Sequence, residues 1–180
     1  ISGAWQQVGQ DIDGERKGNN SGDSVSLSDD GSIVAIGSRL NDGAGKNSGS
    51  VRIYQNNSGT WHQVGQDIDG EYKNDWSGRS VSLSGDGSKV AIGADGNNGP
   101  KNNNGHVRVY QNISGAWQQI GSDIDGEAKF DYSGWSVSLS SDGSTVAIGA
   151  YGNDANGNSS GHVRVYQDNS VDWQQIGSDI

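Results

Sequence analysis

The chain has 180 residues and contains no cysteine, no methionine and a single proline, with only 12 basic residues against 22 acidic ones. Each shortage excludes something. Without Cys there is neither a disulfide framework nor a thiolate to act as nucleophile or metal ligand. A net charge of −10 offers no basic face for phosphate neutralisation, so neither nucleic acid nor an anionic membrane surface is an expected partner. No apolar run approaches the ~18 residues a spanning helix needs, so membrane insertion is not expected. Helical periodicity is also lacking, and a hydrophobic fraction of 30% is too small for a large helical core. The missing Met makes the chain read as a mature product or as a segment of something longer. The lack of a visible signal peptide is uninformative about secretion.

What is present is repetition. Trp5, Trp61, Trp117 and Trp173 each stand 56 residues from the next. Every period contains a strand–turn–strand unit: SVSLSDDGSIVAIG at 24–37, SVSLSGDGSKVAIG at 80–93 and SVSLSSDGSTVAIG at 136–149. Val and Leu alternate with Ser in the first half, and an Asp-Gly pair marks the turn, because Gly accepts positive φ without steric cost. A third strand candidate follows in each period, HVRVYQ at 106–111 in the middle copy, and a fourth runs from the Trp, 61–68 (WHQVGQDI). Four short antiparallel strands per period of this length predict a β-propeller blade, an all-β fold in which each sheet buries both faces against its neighbours.

The Ser- and Gly-rich hairpin suits the crowded axis, and the Trp strand the rim. The chain then divides into blade 1 at 22–69, blade 2 at 78–125 and blade 3 at 134–180. Residues 1–21 are left as an extra outer strand, 5–12, and a link. Propellers close with about four to eight blades. Three blades leave two apolar ends, which predicts a longer parent array or association with a second copy, for example a dimer closing a six-bladed ring.

Antiparallel geometry puts the short turns at one end of every blade and two longer links at the other. One link runs over 94–105 and contains Pro100; the other runs over 69–78 (DGEYKNDWSG). The copies differ most here, as binding loops on a rigid scaffold do. Tyr72, Asp75 and Trp76, with Phe130, Asp131, Tyr132 and Trp135, combine rings and carboxylates in a way that suits a sugar. The other reading of the same rings is that they wedge between adjacent blades and exclude water, half-buried with a polar tip.

The motif DIDGE recurs, giving Asp67, Asp69 and Glu71, then Asp123, Asp125 and Glu127. Alternate oxygen ligands are what calcium takes, although a turn braced by Asp side chains explains the motif too. No other cofactor is expected. Arg52, Arg108 and Arg164 recur once per blade and are expected to bridge blades, with Trp5, Trp61, Trp117 and Trp173 as further structural positions. His62, His106 and His162 show no ligand spacing. Because Ser50 stands where His106 and His162 do in the other copies, a shared metal role is not expected for them. Gly43–Asn47 (GAGKN) lacks the remaining parts of a phosphate loop. No nucleophile elbow and no paired-His zinc motif occurs, so no enzyme is expected.

SGRSVSLSGDGSKVAIGAD with GHVRVYQ, and its two counterparts, resemble the FG-GAP repeats of the integrin alpha-chain propeller and its bacterial relatives. Ser21-Gly22, Ser77-Gly78 and Ser133-Gly134 occupy the FG position; Gly37-Ser38-Arg39, Gly93-Ala94-Asp95 and Gly149-Ala150-Tyr151 occupy the GAP position. Calcium-binding members carry a longer acidic loop between the inner strands. Here that loop is DDGS, GDGS or SDGS, too short to wrap a cation. The resemblance implies an extracellular or cell-surface propeller used in adhesion or in binding a glycan or protein.

Overall fold

The computed structural model describes residues 3–98 and 103–180, and among these it is all-β. Pro100 and its neighbours in the second link lie outside the described residues. The first sheet comprises β1 (Ser24–Leu27), β2 (Ile33–Ser38), β3 (Ser50–Asn57), β4 (Thr60–Gln63) and the short β5 (Ile68–Asp69). The second comprises β6 (Ser80–Leu83), β7 (Lys89–Ala94), β8 (His106–Ile113), β9 (Ala116–Gln119) and β10 (Ile124–Asp125), and the third β11 (Ser136–Leu139), β12 (Thr145–Ala150), β13 (His162–Asp168) and β14 (Trp173–Gln175). All pairings between the named strands are antiparallel and follow chain order, with β5 and β10 returning to the third strand of their own sheet.

The hairpin strands lie at the axis. Leu83 N–H donates to Ser26 Oγ and Leu139 N–H to Ser82 Oγ, both at 2.9 Å, so the serines of SVSLS stitch one inner strand to the next. Gly93 sits where blades 2 and 3 meet: a Cβ there would come within 2.0 Å of Gly134 O. The apolar cores lie between sheets. Ala35, Val51, Ile53 and Ile68 of the first sheet meet Val81, Leu83, Val90, Ile92 and Tyr110 of the second. Ala91, Val107, Val109 and Ile124 meet Leu139, Val146, Ile148 and Tyr166 in the same way.

The Trp strand departs from the expected continuous run over 61–68. It breaks after Gln63 and resumes at Ile68, with Gly65 at φ +74° in the gap. A Cβ at Gly65 would lie 2.8 Å from Gly115 O and 3.0 Å from Trp117 Cδ1. The strand yields there because the next repeat's tryptophan occupies the space. Trp117 Nε1 donates to Val64 O at 2.9 Å, Trp173 Nε1 to Ile120 O at 3.1 Å and Trp61 Nε1 to Val8 O at 2.9 Å, one rung per period.

The leading segment also departs from expectation. Residues 3–14 form no strand, because their ladder partner would be the third strand of a further sheet that the described residues do not include. The segment docks instead: Gln10 brackets the Trp61 backbone, and Ile12 packs on the cluster of Val34, Ile36 and Tyr54. Trp5 packs on nothing and is fully exposed. The end faces stay partly open. Val25 and Leu27 are 64% and 59% exposed, whereas their counterparts Val81 and Leu83 are 8% and 5% exposed. On the other end face, Val163 and Ile180 are exposed where Val107 and Ile124 are buried.

Candidate functional site

Two positions per blade frame the axis at the link end. One precedes the inner strand and is Asp23, Arg79 or Trp135; the other follows β2, β7 or β12 and is Arg39, Asp95 or Tyr151. The hairpin register sets them side by side, since Ser80 pairs with Gly93 and the Arg79 N–H reaches Gly93 O at 3.2 Å. A near-identical framework thus presents an ion pair in blade 1, an opposite-charge pair in blade 2 and two rings in blade 3. Arg39 pairs with Asp23. Arg79 Nη1 lies 3.6 Å from Asp23 Oδ2, and its guanidinium lies 3.6 Å from the centre of the Trp135 ring. Trp135 meets Tyr151 edge-on at 4.7 Å, Tyr151 stacks on Tyr132 at 5.2 Å, and Tyr132 on Phe130 at 6.3 Å. The result is one continuous stripe from Arg39 to Phe130. Asp95 is buried beneath it, and desolvation raises its carboxyl to about 6 against the opposing pull of Arg79 and Arg39.

The rings are held at a conformational cost. Phe130 and Tyr132 have φ of +67° and +53°, and Trp76 has +57°. Left-handed backbone costs a residue bearing a Cβ about 1 kcal/mol or more. In the first copy the corresponding residues are Gly18 and Asn20, which tolerate it. The ring positions are matched to a glycine. Tyr132 lies over Gly152 and Trp76 over Gly96, where a Cβ would come within 3.0 Å and 2.7 Å of the respective rings. The first copy has Leu40 in place of that glycine and Asn20 in place of the ring.

The aromatics and carboxylates expected to act together are not all brought together. Phe130, Tyr132 and Trp135 share the stripe; Tyr72 is exposed and makes no ring contact among the described residues. Asp75 and Asp131, expected to take ligand hydroxyls, are buried. Asp75 Oδ2 accepts the Tyr72 N–H at 2.7 Å, and Asp131 Oδ2 accepts the Ala128 N–H at 2.9 Å and the Asn153 amide at 3.2 Å. They lock the link from inside, because link amides without ladder partners need an acceptor. Arg79, Asp23, Arg39 and Tyr151 were missed. Their signal was present in the sequence: different chemistry at equal positions of almost equal repeats.

The DIDGE carboxylates fall out differently from a single-motif calcium loop. Asp123 leaves its own motif to join Glu71 of the preceding one and His106, and Glu127 likewise joins His162 and Asp179, with ligand atoms of each set within 4.8 Å of one another. His106 Nδ1 is 3.4 Å from Asp123 Oδ2, a hydrogen bond that is the main cause of the lowered Asp123 pKa. His106 and His162, which show no ligand spacing along the sequence, thus meet carboxylates that come from two successive repeats. The recurring spacing of Glu, His and Asp, 35 and then 17 residues, was the available signal. Asp69 and Asp125 stay outside both sets; desolvation raises the pKa of each, and an Asp neighbour adds to it. In the first copy the corresponding residues are Glu15, Ser50 and Asp67. A cavity of about 150 Å³ there is lined by Glu15, Asn41, Asp67 and Asp69 among others.

The recurring arginines bridge successive periods, Arg108 and Arg164 from blade to blade and Arg52 from blade 1 to the leading segment. Arg108 Nη2 donates to Asp69 O at 2.9 Å, Arg164 Nη2 to Asp125 O at 2.7 Å and Arg52 Nη2 to Asp13 O at 2.8 Å. Each guanidinium also lies about 5.5 Å from the tyrosine ring two residues on.

Residues 122–166 match the FG-GAP repeat family. No curated protein matches the chain. Among solved structures it is similar to a putative 6-phosphogluconolactonase from Bacteroides uniformis, at 15% identity over 87% of this chain and 39% of that one, with a TM-score of 0.57. It is similar to Saccharomyces cerevisiae Sqt1, at 15% identity over 91% and 36%, with a TM-score of 0.56. It is also similar to the β-propeller domain of the Trilobed protease from Pyrococcus furiosus, which has an open velcro topology, at 13% identity over 87% and 41%, with a TM-score of 0.50. At such identities the likeness is one of fold, and the fold is a β-propeller. The chain spans about two fifths of the length of these structures.

Proposed function

We propose that this chain, a β-propeller segment carrying an FG-GAP repeat, is a non-enzymatic recognition module that works outside the cell or on its surface. It binds a glycan or a protein surface through the link end of its blades. The observation that carries the reading is the stripe from Arg39 through Asp23, Arg79, Trp135 and Tyr151 to Tyr132 and Phe130. Ring faces stack on C–H faces of a sugar or on apolar side chains, while the guanidinium and carboxylate groups orient hydroxyls or amides. Four rings, two of them at left-handed φ, make up the stripe although the first copy shows that the framework stands without them. The test is a glycan array probed with the chain and with a Trp135→Ala/Tyr151→Ala double variant. The double variant should lose binding, and Tyr72→Ala should keep it. Full binding by the double variant sinks the reading.

A second reading rests on the end faces. Val25 and Leu27 on one side, and Val163 and Ile180 on the other, are exposed counterparts of residues that are interior between blades 1 and 2 and between 2 and 3. The two faces are complementary by repetition, so a second copy fits each head to tail. Two copies would close a six-bladed ring, and an angle that fails to close would give a fibre. Mass measurement in dilute solution separates these: a dimer supports the ring, a ladder the fibre, and a monomer at every concentration removes self-assembly.

A further inference from the structure

The two Glu–His–Asp sets share one spacing, and in one of them the facing imidazole nitrogen is left without a hydrogen bond. His162 is only 9% exposed, and its Nδ1 has no hydrogen-bond partner although it lies 3.3 Å from Asp179 Oδ2. It is a buried ring nitrogen beside a carboxylate, close enough for an ion-pair contact but not aligned for a hydrogen bond. In the other copy His106 Nδ1 stands at the same spacing, 3.4 Å from Asp123 Oδ2, and there the contact is a hydrogen bond. Two donors ~2.0–2.1 Å from a tetrahedral ion stand roughly 3.3–3.4 Å apart, which is this separation. The third donor of each set, Glu71 or Glu127, lies within 4.8 Å of both partners.

We infer that Glu71, His106 and Asp123 form one site for a divalent transition-metal ion of the zinc class, and that Glu127, His162 and Asp179 form a second. Imidazole with carboxylates suits such ions, whereas calcium takes oxygen ligands alone. Arg108 and Arg164 approach the same glutamates, at 3.6 Å and 3.5 Å from Oε1. A carboxylate has two oxygens and can accept from both a guanidinium and an ion. Each set draws its Glu from the link ahead of a blade, its His from the start of that blade's third strand and its Asp from the chain returning to that strand. A bound ion therefore fastens the link to the rim of the blade it precedes. Three protein ligands leave a coordination position open. The first copy, with Ser50, lacks the imidazole and is a control within the same chain.

Chelator-treated chain titrated with zinc chloride near pH 7, by calorimetry and native mass spectrometry, should take up two ions. His106→Ser and His162→Ser should each remove one, and the double variant both; Ser is the residue the first copy already folds with. Ser50→His should raise the count to three. Circular dichroism reports whether each variant folds, and zinc should raise the melting temperature of the parent but not of the double variant. Any wild-type stoichiometry other than two overturns the inference, as does zinc uptake that survives the double substitution or stays at two in Ser50→His. Calcium taken up at the same stoichiometry and blocking zinc overturns the assignment of metal class.

Discussion

The two ends of a blade use the same residue type in opposite ways. At the turn end, Asp30, Asp86 and Asp142 are each wrapped by hydroxyls and an amide: Ser84 Oγ donates to Asp86 Oδ1 at 2.7 Å, and the Ser88 N–H to the same oxygen at 2.9 Å. The Ser32 N–H and the Ser28 hydroxyl lower Asp30 to about 2, and the Ser140 hydroxyl and Ser144 N–H do the same for Asp142. At the link end, desolvation raises Asp95 to about 6. The first environment is repeated in all three copies and closes a turn. The second occurs once, among residues that differ from blade to blade. An end that is chemically uniform is doing the same structural task each time; an end that varies on a fixed framework carries whatever distinguishes this chain.

The strongest way to break the comparison is through glycine. Gly93→Ala drives a Cβ to 2.0 Å from Gly134 O and should cost about 3 kcal/mol or more, since backbone cannot move aside as a side chain does. Gly31→Ala, in a turn with nothing within 4 Å of the new Cβ and φ of +70°, should cost only about 1 kcal/mol. Urea midpoints at unchanged m-value measure both, and equal costs would mean the blades are not packed as described.

The next effect is pH-dependent. Both states of Asp95 are protonated below 3.8 and both are ionised above about 6. Between these values the unfolded chain ionises first, so stability falls as pH rises through the window. Asp95→Asn should therefore be more stable than the parent near pH 7 by about 2–3 kcal/mol, with the gap vanishing near pH 3.5. Asp30 has the opposite sign: its folded pKa lies below 3.8, so its contribution is present above that value and fades toward pH 2. Asp30→Asn should lower stability near neutrality and have no effect in strong acid. A common sign for the two variants would erase the contrast between the ends.

Phe130→Gly sharpens the comparison with the smallest change. It installs the residue that the first copy has at Gly18, relieving a left-handed φ of +67° at a ring that is itself exposed. Stability should rise by roughly 0.5 kcal/mol while ligand binding falls. Gain in both would mean the ring has no recognition role.

Much of this architecture was legible from the chain alone. Ser80–Leu83 and Lys89–Ala94 match the two halves of SVSLSGDGSKVAIG, the second running one residue past it, because alternation of Val with Ser and a Gly at positive φ are local signals. The arginine bridges were legible too, because recurrence at one strand position points to a contact between repeats. What was not legible depends on neighbours. Val64 and Ile68 fall on one face of an extended strand, so the sequence alone carries the outer strand through Gly65; only the ring of Trp117 shows why it must break. Asp75 and Asp131 look like surface carboxylates in a polar link, and their burial is set by how the link folds back. The Glu–His–Asp sets draw on two copies of one motif, so reading each copy separately hides them.

The indole rungs have an optical consequence. Trp61, Trp117 and Trp173 each have Nε1 bonded to the carbonyl of the preceding period, while Trp5, the same position one period earlier, stands in water. Its emission should be the reddest component of the spectrum and the one most readily reached by a soluble quencher, ahead of the part-exposed Trp135. Anything that settles over the first blade in the manner of another blade would move that component to the blue, so docking at this face carries its own fluorescent label.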